Sequence, residues 1–359
     1  YCFNDKRKLN IKKELLDMNP LVSVIILNYN AGDMLLDCVE SVLRTEYDNY
    51  EVIVVDNQSH DNSHKKCKTK FEKIILIENQ KNLGYCEGNN VGIRNAKGVF
   101  LVILNPDTIV EPNWLTELVE AYKKYGEGLY QPKIVATTDH AMLLSTGQML
   151  NVFGFGYSRS KGEKDMNQYE SFEQIGYASG TCLFTSTSVM KKIGLFDPFL
   201  FLYHDDLDLG WRAAQMGIKS FYVPKSVIYH AESYLLKWSA RKFFWLERNR
   251  QYCLRTHYSK NTYWKMWFSL AIVDLLVWAF YISKGFVGSK IRADLNMIRN
   301  RKHVSKRFLE IEKKKIISDV ELIKSFPDTI FVPENVFGTV SNRLFNSILA
   351  YLSKTVGII

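Results

Sequence analysis

The sequence predicts an α/β fold, in which a mostly parallel sheet is flanked by helices and followed by a C-terminal helical region. Apolar runs alternate with segments of helical periodicity between residues 22 and 104, which is the order expected of βαβ units with right-handed crossovers. Polar residues cluster where those runs end. From Leu235 onward basic and aromatic residues interleave, and helical character replaces the strand pattern.

Four apolar runs are predicted to be parallel strands, because each is short and rich in branched residues, as in strands that are buried on both faces. Their predicted bounds are Val22–Leu27, Tyr50–Val55, Ile74–Ile77 and Val99–Leu104. Helices are predicted at 33–44, at 61–72 and in a short stretch that follows Asn82–Ile93.

Elements of mixed type are predicted farther along the chain. Ile175–Phe184 is predicted to be a strand in which Gly180 allows the close approach of a ligand. A helix is predicted from the acidic cluster at 205–208 to Met216. Two short strands are predicted after it, at Ile218–Val223 and Ser226–His230.

Polar residues follow the ends of the predicted parallel strands: Asn28, Asp56, Asn82 and Asp107. The carboxyl ends of parallel strands meet at one edge of an open α/β sheet, and that edge is where ligands bind. Taken singly, each residue is better explained as an ordinary turn residue. Their occurrence at successive strand ends favours a binding site. The chain has no GxGxxG or GxxxxGK[ST] motif, which disfavours a dehydrogenase and a P-loop NTPase.

Asp205, Asp206 and Asp208 form an acidic cluster at the start of the predicted helix. One interpretation is that they are first-turn acids that suit the helix dipole, which accounts for one or two of them. The cluster lies beside Phe201 and Tyr203, where burial of a carboxylate without a partner is costly. A functional interpretation is therefore favoured, with a general base and carboxylates close to a metal.

Composition places limits on the partners of the chain. Its formal charge is +9 over 359 residues, and the segment 284–315 alone has eleven Lys or Arg and three acids. Such a local basic segment points to an anionic surface, either membrane or nucleic acid. The six cysteines show no paired spacing, so free thiols in a reducing compartment are expected, without a zinc site. No signal peptide is expected, because no apolar run directly follows the basic start of the chain.

The apolar segment 264–283 precedes that basic tail. Its apolar part is only about the minimum length of a spanning helix. Asp274 lies near its centre and would cost roughly 2.5–3.5 kcal/mol on insertion. A helix that lies in one leaflet, with Trp264, Trp267 and Trp278 at the interface, is therefore favoured over a spanning helix. A buried core helix is the alternative.

Several stretches resemble family-2 glycosyltransferases of the GT-A fold, closest to the bacterial rhamnosyltransferase-like branch, over roughly residues 21–250. The matching stretches are Ser23–Asn30, Val54–Ser59, Asn82–Tyr85 with Gly88–Gly92, Leu104–Asp107, and Phe196–Phe199 through Asp205–Leu209 to His230. Each is weak alone, but their occurrence together and in this order is a strong signal.

This resemblance implies metal-dependent, inverting transfer from a nucleoside-diphosphate sugar, with Mn²⁺ or Mg²⁺ as the cofactor. Asp206 matches the catalytic base, with Asp205 as its rival, and Asp107 and His230 match the metal-binding positions. The implied donor-binding residues are Asn28, Tyr29, Asn30, Asp56, Asn57, Asn82, Gly84, Asn89 and Asp107. Asp208 and Arg248 are expected to meet the acceptor or the diphosphate; for Arg248, a solvated helix face is the alternative.

The expected organisation is a basic N-terminal segment, 1–20, a GT-A catalytic domain, 21–235, and a C-terminal helical region, 236–359. The expected function is transfer of a rhamnose-like deoxyhexose or another hexose to a polysaccharide or polyprenyl-linked acceptor. The expected location is the cytoplasmic, inner face of a bacterial-type cell membrane. A catalytically inactive protein that binds nucleotide sugars is the alternative, disfavoured by the intact base and metal positions. Nucleic acid is not an expected partner, because the basic tail adjoins an apolar aromatic segment that suits anionic lipid better.

Overall fold

Parallel strands and helices alternate in the first part of the chain, as predicted, in the computed structural model, which describes residues 19–232, 239–331 and 339–357. The strands are β1 (Val22–Asn28), β2 (Tyr50–Asp56), β3 (Ile75–Glu78) and β4 (Phe100–Leu104). The helices are α1 (Asp33–Leu43), α2 (Ser63–Lys70) and α3 (Gly84–Asn95). β1 pairs in parallel with β2 and β4, and β2 pairs with β3. All but the last two residues of the predicted N-terminal segment 1–20 lie outside the described residues.

The second part of the sheet is mixed. Its strands are β5 (Thr108–Val110), β6 (Gly128–Ala136), β7 (Leu143–Ser145), β10 (Glu173–Ile175), β11 (Cys182–Ser186) and β12 (Lys219–His230). Beside it lie a hairpin, β8 (Gln148–Leu150) and β9 (Gly156–Ser158), and the helices α4 (Trp114–Tyr125), α5 (Thr187–Ile193) and α6 (Asp205–Gln215). The strand order is β10-β12-β6-β11-β4-β1-β2-β3, with β5 on β12 and β7 on β6. β11 runs antiparallel between β4 and β6.

The predicted strand Ile175–Phe184 is wrong, because its middle residues form a loop between β10 and β11. In that loop two successive N–H groups bond to side chains instead of to a neighbouring strand. Gly180 N–H donates to the Asp206 carboxylate at 3.0 Å, and Ser179 N–H donates to Gln131 Oε1 at 2.9 Å. The loop therefore carries its polar contacts toward α6.

The two short strands predicted at Ile218–Val223 and Ser226–His230 are one continuous strand, β12. Its pairing with β6 shifts register between Val223 and Val227. Pro224 lies in this bulge and has no N–H to donate to a ladder, which explains why the sequence pattern appears interrupted there.

Helices make up most of the described residues after β12. They are α7 (Ala240–His257), α8 (Lys260–Lys265), α9 (Trp267–Ser283), α10 (Val287–Arg299), α11 (Arg301–Glu312), α12 (Asp319–Ile323) and α13 (Thr339–Gly357). α7 packs against α10 and α11, and α9 packs against α10 and α13. The fold class is therefore confirmed: a sheet flanked by helices, followed by a helical region.

Apolar side chains fill both faces of the sheet. On β1, Val24 and Ile26 join one buried cluster, while Ile25 joins the other. The cluster around Ile25 continues into the C-terminal helices, where Tyr252 of α7 and Leu349 of α13 are fully buried. The sheet and the C-terminal helices thus share one core, and burial on both faces accounts for the near-continuous apolar character of β1.

The apolar segment predicted to contact a membrane forms α9, which buries one face and exposes the other. Val273 and Val277 are buried, whereas Phe268 and Leu275 are 60% and 69% exposed. Within the described parts of the chain, no helix combines the length and apolar character needed to cross a membrane. α9 therefore has features of both remaining interpretations, a core helix on one side and an exposed apolar surface on the other.

Asp274 of α9 is explained by a buried lysine from the next helix. Lys290 of α10 is fully buried, and its Nζ lies 2.7 Å from Asp274, 2.8 Å from Asp294 and 3.1 Å from Glu247. Burial alone would lower the pKa of Lys290, but these carboxylates raise it above its ordinary value. The charged group in the apolar segment thus ties α9 to α10 and α7.

Candidate active site

A cleft of about 510 Å³ lies at the carboxyl edge of β1, β2 and β4, where ligands bind in open α/β sheets. The loop before β11 and the segment that leads into α6 complete its walls. The predicted site residues that line it are Tyr29, Asn57, Asn82, Gly84, Asp107, Asp205, Asp206 and His230. The predicted residues that lie outside its lining are Asn28, Asn30, Asp56, Asn89, Asp208 and Arg248.

Asn28 and Asp56 form a polar layer directly behind the lining. They are opposite each other in the register of β1 and β2, and the Asn28 amide donates to Asp56 at 2.7 Å. Asp56 also accepts from Ser59 N–H at 2.9 Å, and His64 Nδ1 lies 3.4 Å from it. Asn30 accepts from the same turn at 2.7 Å. In this conformation these residues hold the turn after β2, so they shape the wall of the cleft from behind.

Asn57, Asn82 and Gly84 hold one another in the next part of the wall. Asn57 Nδ2 donates to the Gly84 carbonyl at 3.0 Å, and Gly84 N–H donates to Asn82 Oδ1 at 2.8 Å. Gly84 has φ +77°, and a Cβ there would lie 2.5 Å from the Phe201 ring, so this close approach requires glycine. Asn89 is fully buried behind this wall and donates to a backbone carbonyl one turn earlier on α3.

The pairing of β5 with β12 brings Asp107 and His230 together. His230 is the last residue of β12 and pairs with Thr108, which follows Asp107, and the two side chains lie 3.3 Å apart from Nε2 to Oδ2. Asp107 Oδ1 and His230 Nε2 are buried without a hydrogen-bond partner in the described part of the chain. Such atoms are costly unless something satisfies them. A carboxylate and an imidazole are ligands that a divalent ion such as Mn²⁺ accepts, so the pair fits a metal site.

Asp206 presents its carboxylate to the cleft from the first turn of α6. Its oxygens accept from Gly180 N–H at 3.0 Å and from Leu207 N–H at 2.8 Å, which fixes the side chain. Burial raises the pKa of Asp206, although these hydrogen bonds act in the opposite direction. Burial and the neighbouring Asp206 charge also raise the pKa of Asp205 well above its ordinary value. A carboxylate with a raised pKa is a better proton acceptor near neutral pH.

Asp208 points away from the cleft, which corrects the expectation that it meets the acceptor or the diphosphate. Its Oδ2 accepts from Nε and Nη2 of Arg212 at 2.9 and 2.7 Å, and its Oδ1 lies 3.3 Å from His257 Nε2. Burial would raise the pKa of Asp208, but Arg212 and His257 hold it below its ordinary value. The carboxylate is fully buried, so it ties α6 to α7 inside the protein. Residues two apart on a helix face different directions, and here only Asp206 of the two faces the cleft.

The segment that precedes α6, residues 200–204, has a strained backbone. Phe201, Tyr203 and His204 have φ values of +63°, +67° and +59°, a region that costs non-glycine residues roughly 1–3 kcal/mol each. Asn249 of α7 holds this segment, because its Nδ2 lies 3.1, 2.8 and 2.7 Å from three of the segment's carbonyl oxygens. The sequence contains no local signal for this contact, which joins parts of the chain more than forty residues apart.

Arg248 also supports the 200–204 segment, and neither interpretation offered from the sequence describes it. Its guanidinium lies between the rings of Phe199 and Trp245, 4.4 and 4.5 Å from their centroids. It donates to the Leu200 carbonyl at 2.9 Å and is buried. Arg248 is therefore neither on a solvated face nor in contact with the cleft.

Some cleft residues are not among the site residues predicted from the sequence. They include Tyr85, Ser179, Thr181, Leu202, Tyr203 and Arg241. Tyr85 donates to the Gly180 carbonyl at 2.5 Å, so it braces the loop that in turn holds Asp206. The alternation of basic and aromatic residues after Leu235 is the one sequence feature that marks the neighbourhood of Arg241.

Comparison with known proteins gives a family match over part of the chain. The family model described as Glycosyl transferase family 2 matches residues 23–194. A glycosyltransferase, GlyG, of Streptococcus pneumoniae is 34% identical over 106 residues, which are 29% of this chain and 35% of that protein. The N-acetylglucosaminyl-diphospho-decaprenol L-rhamnosyltransferase of Mycobacterium tuberculosis is 22% identical over 239 residues, which are 60% of this chain and 78% of that protein.

A solved structure supports the fold. GalNAc-T7 with UDP, GalNAc and Mn²⁺ superposes with a TM-score of 0.54 at 17% identity, over 67% of this chain and 48% of that one; this likeness concerns the fold alone. The matches with the first curated relatives span about a third of the length of those proteins, 35% and 33%. Residues 23–194 match the family, and the cleft lies on the expected edge of the sheet. Residues 23–194 of this chain therefore match family 2 glycosyltransferases, and they lie within a GT-A fold.

Proposed function

We propose that this protein is a metal-dependent, inverting glycosyltransferase that moves a sugar from a nucleoside-diphosphate sugar to an acceptor hydroxyl. One observation supports this most strongly: a fixed carboxylate of raised pKa, Asp206, lines the same cleft as the orphaned Asp107–His230 pair. Inverting transfer needs a base for the acceptor and positive charge for the leaving diphosphate. Asp206 offers the base, and a divalent ion held by Asp107 and His230 would supply the positive charge in the same cleft.

In the proposed reaction Asp206 accepts the proton of the acceptor hydroxyl. The oxygen of that hydroxyl forms a bond with the anomeric carbon as the bond from that carbon to the diphosphate oxygen breaks. The nucleoside diphosphate leaves with the bonding electrons, and a single in-line displacement inverts the configuration. Asp107 and His230 would hold Mn²⁺ or Mg²⁺, which supplies positive charge to the leaving diphosphate. Asp205 is the neighbouring acid, and its raised pKa favours a protonated form beside the ionised Asp206.

We assign the nucleotide to the wall formed by the ends of β1 and β2. Tyr29, Asn57, Asn82 and Gly84 line that wall, and Asn28, Asn30, Asp56 and Asn89 support it from behind. Asp56 reaches a base or ribose only if its internal bonds to Asn28 and Ser59 rearrange, because both of its oxygens already accept hydrogen bonds. The proposal therefore gives direct contact to the lining residues and a supporting role to the residues behind them.

The proposed acceptor is a lipid-linked or polysaccharide glycan, and the proposed donor sugar is a rhamnose-like deoxyhexose or another hexose. The relatives support this choice. One is named an N-acetylglucosaminyl-diphospho-decaprenol L-rhamnosyltransferase, and another, from Haloferax volcanii and 25% identical over 225 residues, is named a low-salt glycan biosynthesis hexosyltransferase. We assign catalysis to residues 21–235, and contact with the cytoplasmic face of a membrane to residues 236–359.

Exposed apolar side chains on the C-terminal helices support the proposed membrane contact. Those on α8, α9, α10 and α13 include Trp264, Trp267, Phe268, Leu275, Ile282, Ile291, Leu295, Ile298, Leu344 and Tyr351. Exposed basic residues nearby are Arg292, Arg299, Arg301, Lys302 and Lys306. Apolar burial in the lipid interface, plus roughly 1 kcal/mol for each basic residue near anionic headgroups, would hold the protein there. Lys290, Arg307 and Lys315 are instead paired with acids of the protein.

The test is a screen of donor hydrolysis and transfer with dTDP-, UDP- and GDP-sugars, in Mn²⁺ and in Mg²⁺, using the full chain. We expect turnover of at least one donor with a divalent ion, and its loss on chelation. A protein that binds a nucleotide sugar tightly yet neither hydrolyses nor transfers it would instead support the catalytically inactive alternative. Metal-independent turnover would contradict the assignment of Asp107 and His230.

A further inference from the structure

The cleft is rich in acidic residues. Asp107, Asp205 and Asp206 all line it. Among the lining residues that the structure describes, Arg241 is the one lysine or arginine. A nucleoside diphosphate is itself an anion, so its binding beside three acidic side chains requires positive charge from elsewhere. Of the described side chains that line the cleft, Arg241 is the one placed to contribute it.

The backbone of Arg241 is fixed against the cleft. It is the second residue of α7, whose first turn is capped by Ser239, which accepts from Lys242 N–H at 3.3 Å. Lys242 Nζ lies 5.7 Å from the centre of the Tyr203 ring. One turn later Trp245 stacks on Phe201, with the ring centroids 5.2 Å apart and an angle of 17°. The first turn of α7 is therefore anchored to the 200–204 segment, which itself lines the cleft.

The side chain of Arg241 is exposed, and it makes no hydrogen bond or ion pair with any residue that the structure describes. The other arginines in the middle of α7 behave differently. Arg248 is buried and donates to the Leu200 carbonyl, and Arg250 is buried and pairs with Glu247. An arginine with a fixed backbone and unused donors at a cleft wall is suited to bidentate contact with phosphate oxygens.

We propose that Arg241 binds a phosphoryl group in the cleft, and that this group is the diphosphate of the nucleotide-sugar donor. This inference rests on the proposed function. Negative charge develops on the leaving diphosphate as the bond to the anomeric carbon breaks, so a guanidinium there stabilises the transition state more than the bound donor. The donor is favoured over a phosphate of the acceptor. Arg241 lines the same cleft as His230, which ends β12 and is assigned to the metal beside the donor diphosphate, and α7 is the helix that follows β12 in the chain.

The experiment measures the binding of UDP, dTDP and GDP, and of the corresponding nucleosides, to the full chain by calorimetry. The variants are Arg241→Gln, Arg241→Lys and the control Arg255→Gln. Arg255 is also exposed on α7 but lies outside the lining of the cleft. Loss of a hydrogen-bonded charge contact should weaken binding of the preferred diphosphate by roughly tenfold to a hundredfold in Arg241→Gln. Arg241→Lys should recover part of it, whereas nucleoside binding and Arg255→Gln should match the wild type.

Three other outcomes would overturn the inference, and they differ in meaning. If Arg241→Gln binds the preferred diphosphate as the wild type does but has a raised KM for a phosphate-bearing acceptor, the contact belongs to the acceptor and the donor assignment is wrong. If the wild type binds none of the three diphosphates, the proposed function itself fails. If Arg255→Gln weakens diphosphate binding as much as Arg241→Gln does, the effect comes from general surface charge. That result also contradicts a specific contact.

Discussion

Replacing Asn249 with alanine should slow sugar transfer more than it weakens donor binding, because Asn249 holds the segment that precedes the catalytic helix. Its amide donates to three carbonyl oxygens of residues 200–203. A neutral hydrogen bond contributes about 0.5–1.5 kcal/mol net, and the amide has two hydrogens, so the clamp contributes about 1–3 kcal/mol. Strain at each of the three left-handed residues is of the order of 1–3 kcal/mol. Summed over the three residues, the strain is about 3–9 kcal/mol and exceeds what the clamp contributes, so we expect the segment to relax when the clamp is removed.

A relaxed segment would move Asp206 relative to the acceptor hydroxyl. A misplacement of about 1 Å costs roughly a hundredfold in rate, so kcat of Asn249→Ala should fall by about tenfold to a hundredfold, while the donor Kd stays within a few-fold. The assay is turnover per folded molecule, with the unfolding midpoint measured in parallel. A merely structural role would lower the folded fraction but not the turnover of the molecules that remain folded.

Asn151→Ala is the matched control for this prediction. Asn151 is equally buried and donates to the Pro327 carbonyl at 2.8 Å, and it lies outside the lining of the cleft. Its replacement should lower the unfolding midpoint and leave turnover per folded molecule unchanged. Normal kcat in Asn249→Ala, at a folded fraction equal to that of the control, would refute the argument that the clamp positions the base.

Three further predictions concern the metal, the pH profile and the membrane. Asp107→Ala should weaken nucleotide binding in Mn²⁺ but not in its absence; equal affinity for wild type and variant in saturating Mn²⁺ would contradict the metal assignment. Burial raises the pKa of Asp206 above its ordinary value of 3.8. Because the base works only when ionised, kcat should fall as the pH is lowered through that raised pKa. A fall in kcat that occurs only at or below pH 3.8 would argue against Asp206 as the base. Serine in place of Trp264, Trp267 and Phe268 should reduce sedimentation with anionic vesicles, and high salt should reduce it further. Serine in place of Met166, which is 75% exposed, should not, and equal sedimentation of both variants would remove the membrane contact from α8 and α9.

The carboxyl edge of the sheet could be predicted, because strand ends are marked locally in the sequence. Apolar runs followed by Asn or Asp placed the ends of β1, β2 and β4 to within a residue. The pairing of Asp107 with His230 is different, since it depends on β5 joining β12 from a distant part of the chain. No local pattern predicts that register, and only the resemblance to the family suggested it.

The direction in which charged side chains face could not be predicted. Asp208 lies two residues from Asp206, yet Arg212 and His257 take its carboxylate into the interior. Asp274 made α9 unfavourable as a membrane helix, and the reason for its presence, Lys290, lies on another helix. Arg212 is a local partner, four residues on in the same helix, but His257 and Lys290 lie on other helices and come close only through tertiary packing.

The sequence pattern wrongly predicts a strand for the loop between β10 and β11, for a related reason. Its small and apolar residues suit a strand as well as they suit a tight loop. The difference lies in the acceptors of the Ser179 and Gly180 N–H groups, Gln131 and Asp206, which belong to β6 and α6. Such side-chain acceptors are visible only once the fold has brought these elements together.

The central claim is that Asp206 is the base of a sugar-transfer reaction, and the most direct test compares Asp206→Asn with Asp205→Asn. For each variant, kcat and the dissociation constant of the donor are measured with the donor found in the screen. The account predicts that Asp206→Asn loses about 10²–10⁴ in kcat and keeps its donor affinity within a few-fold, because the base faces the acceptor hydroxyl. Near-normal turnover in Asp206→Asn with an inactive Asp205→Asn would move the base by one residue. Near-normal turnover in both variants would contradict the mechanism.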